Sequence, residues 1–303
     1  MSRGSGYRVR VKWRRTQSEH VDDLRGQGPR LGGVGGLAAG GGLAGILALL
    51  AAVLFGGGGG DGGGGIGDIL NQFPGAVPGA PAGQDGPPGT PPPTEESEFV
   101  KFLTEDIQAM WNQQFQRMGR SYEFARTNLF TGQVQTGCGT ATSAVGPFYC
   151  PADSEVYIDL DFFRELQQRF GAPGDFAQAY VMAHEYGHHI QNLLGISDEV
   201  RQEEQSARSE GEANSWSVKL ELQADCLAGV WAHSVYARGD LEAGDVEEGL
   251  AAAQAVGDDR IQEQAGMRVN PESWTHGSSE QRQRWFNEGF ESGNAENCDT
   301  FNA

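Results

Sequence analysis

The sequence predicts an α+β domain, mainly helical with a small antiparallel sheet, and three observations carry that expectation. Apolar residues recur at helical spacing over 96–118, 176–194 and 216–238. Between the first two of these, residues 126–160 change to short β-branched and aromatic runs separated by Gly, Pro and Ser. No repeat is visible, and 303 residues suffice for one sizeable core.

The chain begins differently. Residues 1–30 hold eight Lys or Arg against three acids, a net of +5 in a chain of formal charge −19. The remainder, at −24, is strongly acidic. That argues against nucleic acid as a partner, because phosphate binding depends on Lys and Arg. Residues 31–60 carry no charge, and Leu37 to Phe55 is apolar over a length that can span a bilayer. A basic segment before an apolar one is the positive-inside pattern. Competing readings are a Gly/Ala-rich spacer and a cleaved signal peptide, the latter disfavoured by thirty preceding polar residues. The resulting map is a basic cytoplasmic tail (1–30), a transmembrane signal anchor (31–55), a disordered Gly/Pro-rich linker (56–96) and a folded domain (97–303). It predicts a single-pass protein of the cell membrane with its domain extracytoplasmic. Nothing in the sequence speaks to oligomeric state.

The domain opens with Thr94-Glu95-Glu96, an entry with acids in the first turn of a helix over Glu96–Met118. In the β-type region, Val156, Ile158 and Leu160 alternate with Tyr157 and Asp159, giving one apolar face. A short helix over Asp161–Phe170 ends at Gly171-Ala-Pro-Gly174. Asp175 can cap the next, Phe176–Leu194, which stops at Gly195. Ser197–Ser217 reads as a polar loop with one helical excursion. Trp216–Arg238, Leu241–Val256 and Ser278–Phe290 follow as helices. Four cysteines, an even number, read as two disulfides with three possible connectivities. Cys138 with Cys150 is favoured, because Gly139–Tyr149 suits a hairpin-like return. Cys226 with Cys298 would then tie a mid-chain helix to the C-terminus.

Within Phe176–Leu194 stands His184-Glu185-x-x-His188. Residues four apart share a helical face, so both imidazoles can reach one metal ion and Glu185 projects beside them. No other charged residue lies between Asp175 and Asp198, so Glu185 is no part of a solvated face. His189 points about 100° away from His188 and reads as a histidine outside the metal's ligand set. An extended motif with Gly at 191 and His at 194 is excluded by Gln191 and Leu194. The third ligand is sought in Glu221-Leu-Gln-Ala-Asp225. Two carboxylates on one apolar helix are costly unless they meet a cation or donors. Glu221 is assigned to the metal and Asp225 to the N–H of a ligand histidine, the reverse assignment remaining open. His276, in a Gly/Ser loop, is a candidate donor to an oxyanion, with Tyr149 and Tyr157 as alternatives. His233 reads as structural.

Four stretches carry a resemblance: A-H-E-Y-G-H-H-I-Q-N-L-L-G (183–195), L-E-L-Q-A-D-C-L-A-G-V-W (220–231), V-Y-I-D-L-D-F-F (156–163) and T-H-G-S-S-E-Q-R-Q-R-W-F (275–286). Over about residues 97–300 the chain resembles the bacterial neutral zinc metallopeptidase family, and its H-E-x-x-H…E-x-x-x-D pattern is similar to that of the gluzincin peptidases. The resemblance implies a zincin-like fold and one Zn2+ on His184, His188 and Glu221. It also implies hydrolysis of a peptide or protein substrate with Glu185 as general base. Glu155–Leu160 is a candidate edge strand for that substrate. The alternatives are a catalytically silent, zinc-stabilised binding module and a cell-wall peptide amidase.

Overall fold

The computed structural model describes residues 12–26, 92–169, 174–264 and 266–303. The architecture is α+β and mainly helical. Strand β1 (Val21–Asp23) is followed by α1 (Glu95–Arg117), β2 (Thr127–Phe130), the hairpin β3 (Gln133–Thr136) and β4 (Gly139–Thr142), then β5 (Phe148–Cys150) and β6 (Glu155–Asp159). Among the described residues the helices α2 (Leu160–Arg169), α3 (Asp175–Leu194), α4 (Ile196–Ser206), α5 (Glu210–Ala237), α6 (Asp245–Ala255), α7 (Asp258–Gln264) and α8 (Ser279–Ser292) follow.

Helix α3 is the centre of the core. Fifteen of its residues, Phe176 to Gln191 with few gaps, are buried. It ends at Gly195 in the left-handed conformation, φ 83°. Its start differs from the expectation. Gly174 holds the cap position without a side-chain bond, and Asp175 lies inside the first turn, where the helix dipole favours an acid. Against α3 pack α5, α6, α1 and the sheet. Tyr186 on α3 shares a hydrogen bond of 2.8 Å with Thr127 of β2, and Thr104 of α1 donates to the Thr127 hydroxyl at 3.1 Å. Helix, sheet and α1 are thus locked by buried polar contacts as well as apolar area. Thr94 caps α1 in a reciprocal box with Ser97.

The polar stretch after α3 is more helical than expected. Helix α4 buries only Val200, so the apolar period that marks a helix is missing. Ser209 then caps α5 by accepting from the Glu212 N–H, and the helix starts earlier than its apolar residues show.

The four-stranded sheet has the order β1-β2-β6-β5 and is mixed. Antiparallel pairing holds for β5–β6 and for the separate β3–β4 hairpin, whereas β1–β2 and β2–β6 are parallel. Parallel neighbours demand long crossovers, and here the chain travels from 23 to 127 and from 130 to 155 to supply them. Strand β6 lies between β2 and β5, so Glu155–Leu160 cannot be the edge that accepts a substrate strand. The edges of this sheet are β1 and β5, and β5 packs against α3.

The N-terminal arm overturns the membrane topology. Val21–Asp23 pairs with Thr127–Leu129, and Trp13 lies 5.4 Å, centroid to centroid, from Phe99 of α1. Lys12 Nζ donates to the Gly239 carbonyl at 2.9 Å, and His20 Nδ1 meets Glu105 Oε1 at 2.9 Å. Residues 12–25 and the domain therefore lie on the same side of any bilayer, which a single crossing between them would forbid. No helix among the described residues is long and apolar enough to cross a membrane. The expected anchor at 31–55, and the linker as far as residue 91, lie outside the described residues. The membrane partner, the transmembrane helix and the cell-membrane location with a cytoplasmic tail accordingly do not hold.

The structure pairs Cys138 with Cys150 and Cys226 with Cys298. The second bridge pins the C-terminus to α5 beside the residues described next.

Candidate metal centre

Helices α3 and α5 bring His184, His188 and Glu221 together. All three are buried, and one donor atom from each lies within 4.8 Å of the other two. His184 Nε2 is 3.1 Å from Glu221 Oε2, and His188 Nε2 is 3.3 Å from Glu221 Oε1. The two imidazole planes are nearly perpendicular, 89° apart with centroids at 4.8 Å. The helices come this close because Gly187 has no side chain. A Cβ there would stand 3.0 Å from both the Cα and the carbonyl oxygen of Ala224. Gly187→Ala is expected to force the helices apart, lowering stability by about 1–3 kcal/mol and weakening metal binding. Calorimetric unfolding and a metal titration check both effects.

Each histidine's other nitrogen is held. His184 Nδ1–H donates to Asp225 Oδ1 at 2.8 Å. His188 Nδ1–H donates to Gln191 Oε1 at 2.9 Å, and Gln191 is fixed in turn by donating to the Leu220 carbonyl and to Gln223. Gln223 donates to the Cys298 carbonyl, so the disulfide-tethered C-terminus supports this chain of contacts. With both Nδ1 atoms occupied, two Nε2 atoms and a carboxylate converge on one point. Two nitrogens and an oxygen with such outer partners form the donor set that a transition-metal ion, zinc included, takes.

The charges agree. Burial opposes a charged His184, but Asp225 and Glu221 outweigh it and hold its pKa up at about 10. Burial likewise opposes the Glu221 carboxylate, but His188, His184 and His276 hold its pKa well below the ordinary value. The pocket thus favours positive charge between its ligands. Glu185 is buried on the same helix. Burial pushes its pKa up, with His184, His188 and the backbone N–H of Tyr149 pulling the other way and the Glu221 charge pushing it further up.

Asp225 is completely buried and receives three donors besides His184. Tyr180 donates its hydroxyl at 2.5 Å, and Arg282 of α8 donates Nε at 2.8 Å and Nη2 at 2.9 Å. Burial would raise the Asp225 pKa, yet Arg282 and His184 bring it below the usual value. Arg282 and Tyr180 escape sequence reasoning. Tyr180 does sit at i−4 from His184, a spacing that signals a shared face. Arg282 lies in a polar helix, where an arginine reads as solvated.

His276 is buried, and the charge of Glu221 acts on it. Its Nδ1 faces Asp258 Oδ1 at 3.2 Å, while Asp258 Oδ2 accepts the N–H groups of Thr275, His276 and Gly277 at 2.7–3.1 Å. His189 is fully buried elsewhere. Its Nε2–H donates to the Glu123 carbonyl at 2.7 Å, and burial lowers its pKa to about 4. Tyr149 is committed to His189 and Asn192, and Tyr157 donates to Asp153, so neither hydroxyl is offered to His184, His188 or Glu221. His233 bonds the Phe290 carbonyl.

The family described as "Putative neutral zinc metallopeptidase" matches residues 11–301. The chain is 44% identical over 298 residues to the uncharacterized protein YpfJ of Escherichia coli K12, covering 96% of this chain and 99% of that one. It is 50% identical over 193 residues to the uncharacterized proteins Mb2605 of Mycobacterium bovis and Rv2575 of Mycobacterium tuberculosis, covering 60% of this chain and 64% of theirs. No solved structure matches the chain significantly. The match begins at residue 11, ahead of β1, in agreement with an arm that belongs to the fold. The chain belongs to the family described as "Putative neutral zinc metallopeptidase".

Proposed function

We propose that the chain is a zinc-dependent endopeptidase in which Glu185 is the general base. The observation that carries this reading is a buried carboxyl, Glu185, on the helix that bears two of three convergent ligands and within the field of all of them. His184 Nε2, His188 Nε2 and Glu221 would hold the metal, with Asp225 and Gln191 orienting the imidazoles. Zinc there would supply Lewis acidity, which brings the pKa of a water down to about 7.

Glu185 holds the attacking water, takes its proton as oxygen bonds to the scissile carbonyl carbon, and delivers that proton to the leaving amine nitrogen as the C–N bond breaks. Its contact with the Tyr149 N–H sets it beside β5, along whose edge an extended substrate would align. His276, fixed through Nδ1 by Asp258, donates from Nε2 to the carbonyl oxygen as that oxygen gains charge.

Metal analysis of the purified chain, combined with an unbiased peptide-cleavage screen, tests the proposal. The expected result is about one zinc per chain and cleavage of internal peptide bonds that a chelator abolishes and added zinc restores. Stoichiometric zinc without any cleavage would replace the proposal by the silent binding module. Cleavage confined to cell-wall peptides would replace it by the amidase.

A further inference from the structure

A second cluster of acidic groups lies at the opposite end of α3 from the histidines. Asp175, in the first turn of α3, meets Asp245 and Glu248, in the first turn of α6. One carboxylate oxygen from each lies within 4.8 Å of the other two. Asp245 is completely buried, at 0% exposure. Its Oδ2 accepts the Glu242 N–H at 2.8 Å, but its Oδ1 is buried without a hydrogen-bond partner, and so is Oε2 of Glu248. A buried carboxylate oxygen with no donor is costly, and here two residues of one three-carboxylate cluster each carry such an oxygen. Glycine makes the gap possible: at Gly174, φ 134°, a Cβ would fall 1.8 Å from Glu248 Oε2.

We propose that Asp175, Asp245 and Glu248 bind one divalent, oxygen-preferring cation, calcium by size, which clamps the N-terminus of the metal-bearing helix to that of α6. The donor set is entirely carboxylate, which selects a hard cation over zinc or copper. Calcium takes oxygen ligands at about 2.3–2.6 Å, so oxygens spread over up to 4.8 Å can all reach it. Magnesium, at about 2.0–2.1 Å, requires a tighter set. The dipoles of two helix N-termini ease the crowding of negative charge, and the backbone N–H of Phe176 in α3 reaches the Glu248 carboxylate, but Glu248 Oε2 and Asp245 Oδ1 are left without a donor. Burial first, then the charges of Asp175 and Asp245, push the Glu248 carboxyl up to about 7. A cation at the centre relieves that repulsion. The clamp fixes where α3 begins, nine residues ahead of His184, and so braces the helix end remote from the catalytic face.

The test uses the full chain in chelator-treated buffer, with and without one equivalent of zinc, titrated with calcium chloride by calorimetry and thermal melting. A single calcium site of about 10⁻⁵ to 10⁻³ M is expected, the same in both preparations, so failure of the zinc reading leaves this test standing. At a hundredfold excess over Kd, the melting temperature should rise by roughly 5–10 °C. Glu248→Gln and Asp245→Asn should each abolish the heat and the rise. Calcium binding that survives both substitutions would overturn the proposal. So would a wild type indifferent to calcium at 10 mM, with Glu248→Gln melting higher in its absence, because the cluster would then simply share a proton.

Discussion

Glu185→Gln is expected to leave the metal bound and the fold intact while lowering kcat/KM by about 10²–10⁴-fold, the usual contribution of general acid–base catalysis. The amide keeps the size and hydrogen-bonding reach of the carboxylate but cannot accept a proton. Because burial already pushes the Glu185 carboxyl towards its neutral form, replacing it by a neutral group adds no buried charge. The melting temperature should stay level or rise slightly. That combination separates a base from a ligand. Loss of a ligand would weaken zinc and stability together, whereas loss of the base alone touches turnover. Zinc content, the melting curve and kcat/KM on any cleaved peptide decide it, and activity within tenfold of wild type would sink the mechanism.

How much of this was readable in the sequence follows from how local each signal is. The histidine pair and Glu185 lie within one turn, so helical period alone places them. Glu221 and Asp225 were legible because two carboxylates break an otherwise apolar helix, and a buried charge needs a partner. The donor opposite Asp225 was not, because Arg282 is 57 residues further on and nothing in Ser-Glu-Gln-Arg-Gln-Arg predicts which face is buried. Asp258 was hidden for the same reason, being 18 residues from His276 in a helix too short to show a period. Parallel pairing of β2 and β6 leaves no local trace, since the register is set by what lies across the sheet. The arm misled most. Val21-Asp22-Asp23 has no alternation to mark a strand, while its basic neighbours and the apolar run after them match a membrane signature. Its place in the sheet depends on the β2 edge, which exists only once the domain has folded.

The largest stability effect is expected from Arg282→Leu. Arg282 is buried, and its guanidinium gives two parallel hydrogen bonds to Asp225, a third to the Val256 carbonyl at 3.2 Å, and lies 3.3 Å from the Tyr180 hydroxyl. Removing it leaves Asp225 as a buried charge lacking its main counter-ion, a change that typically costs about 3–5 kcal/mol, or roughly 6–20 °C in melting temperature for a domain of this size. Zinc affinity should fall about 10–100-fold, because Asp225 then no longer holds the His184 ring in one orientation. Arg282→Lys keeps the charge but not the planar fork, and should lie between the two. A double variant divides the effects. With Asp225→Leu added, no uncompensated charge remains, and stability should largely return. Zinc affinity should stay low, since nothing then accepts the His184 Nδ1–H. If the double variant recovered both, Asp225 and Arg282 would be a stabilising ion pair with no bearing on the metal. If Arg282→Leu changed neither, the contact of α8 with α3 and α5 would carry no weight at all.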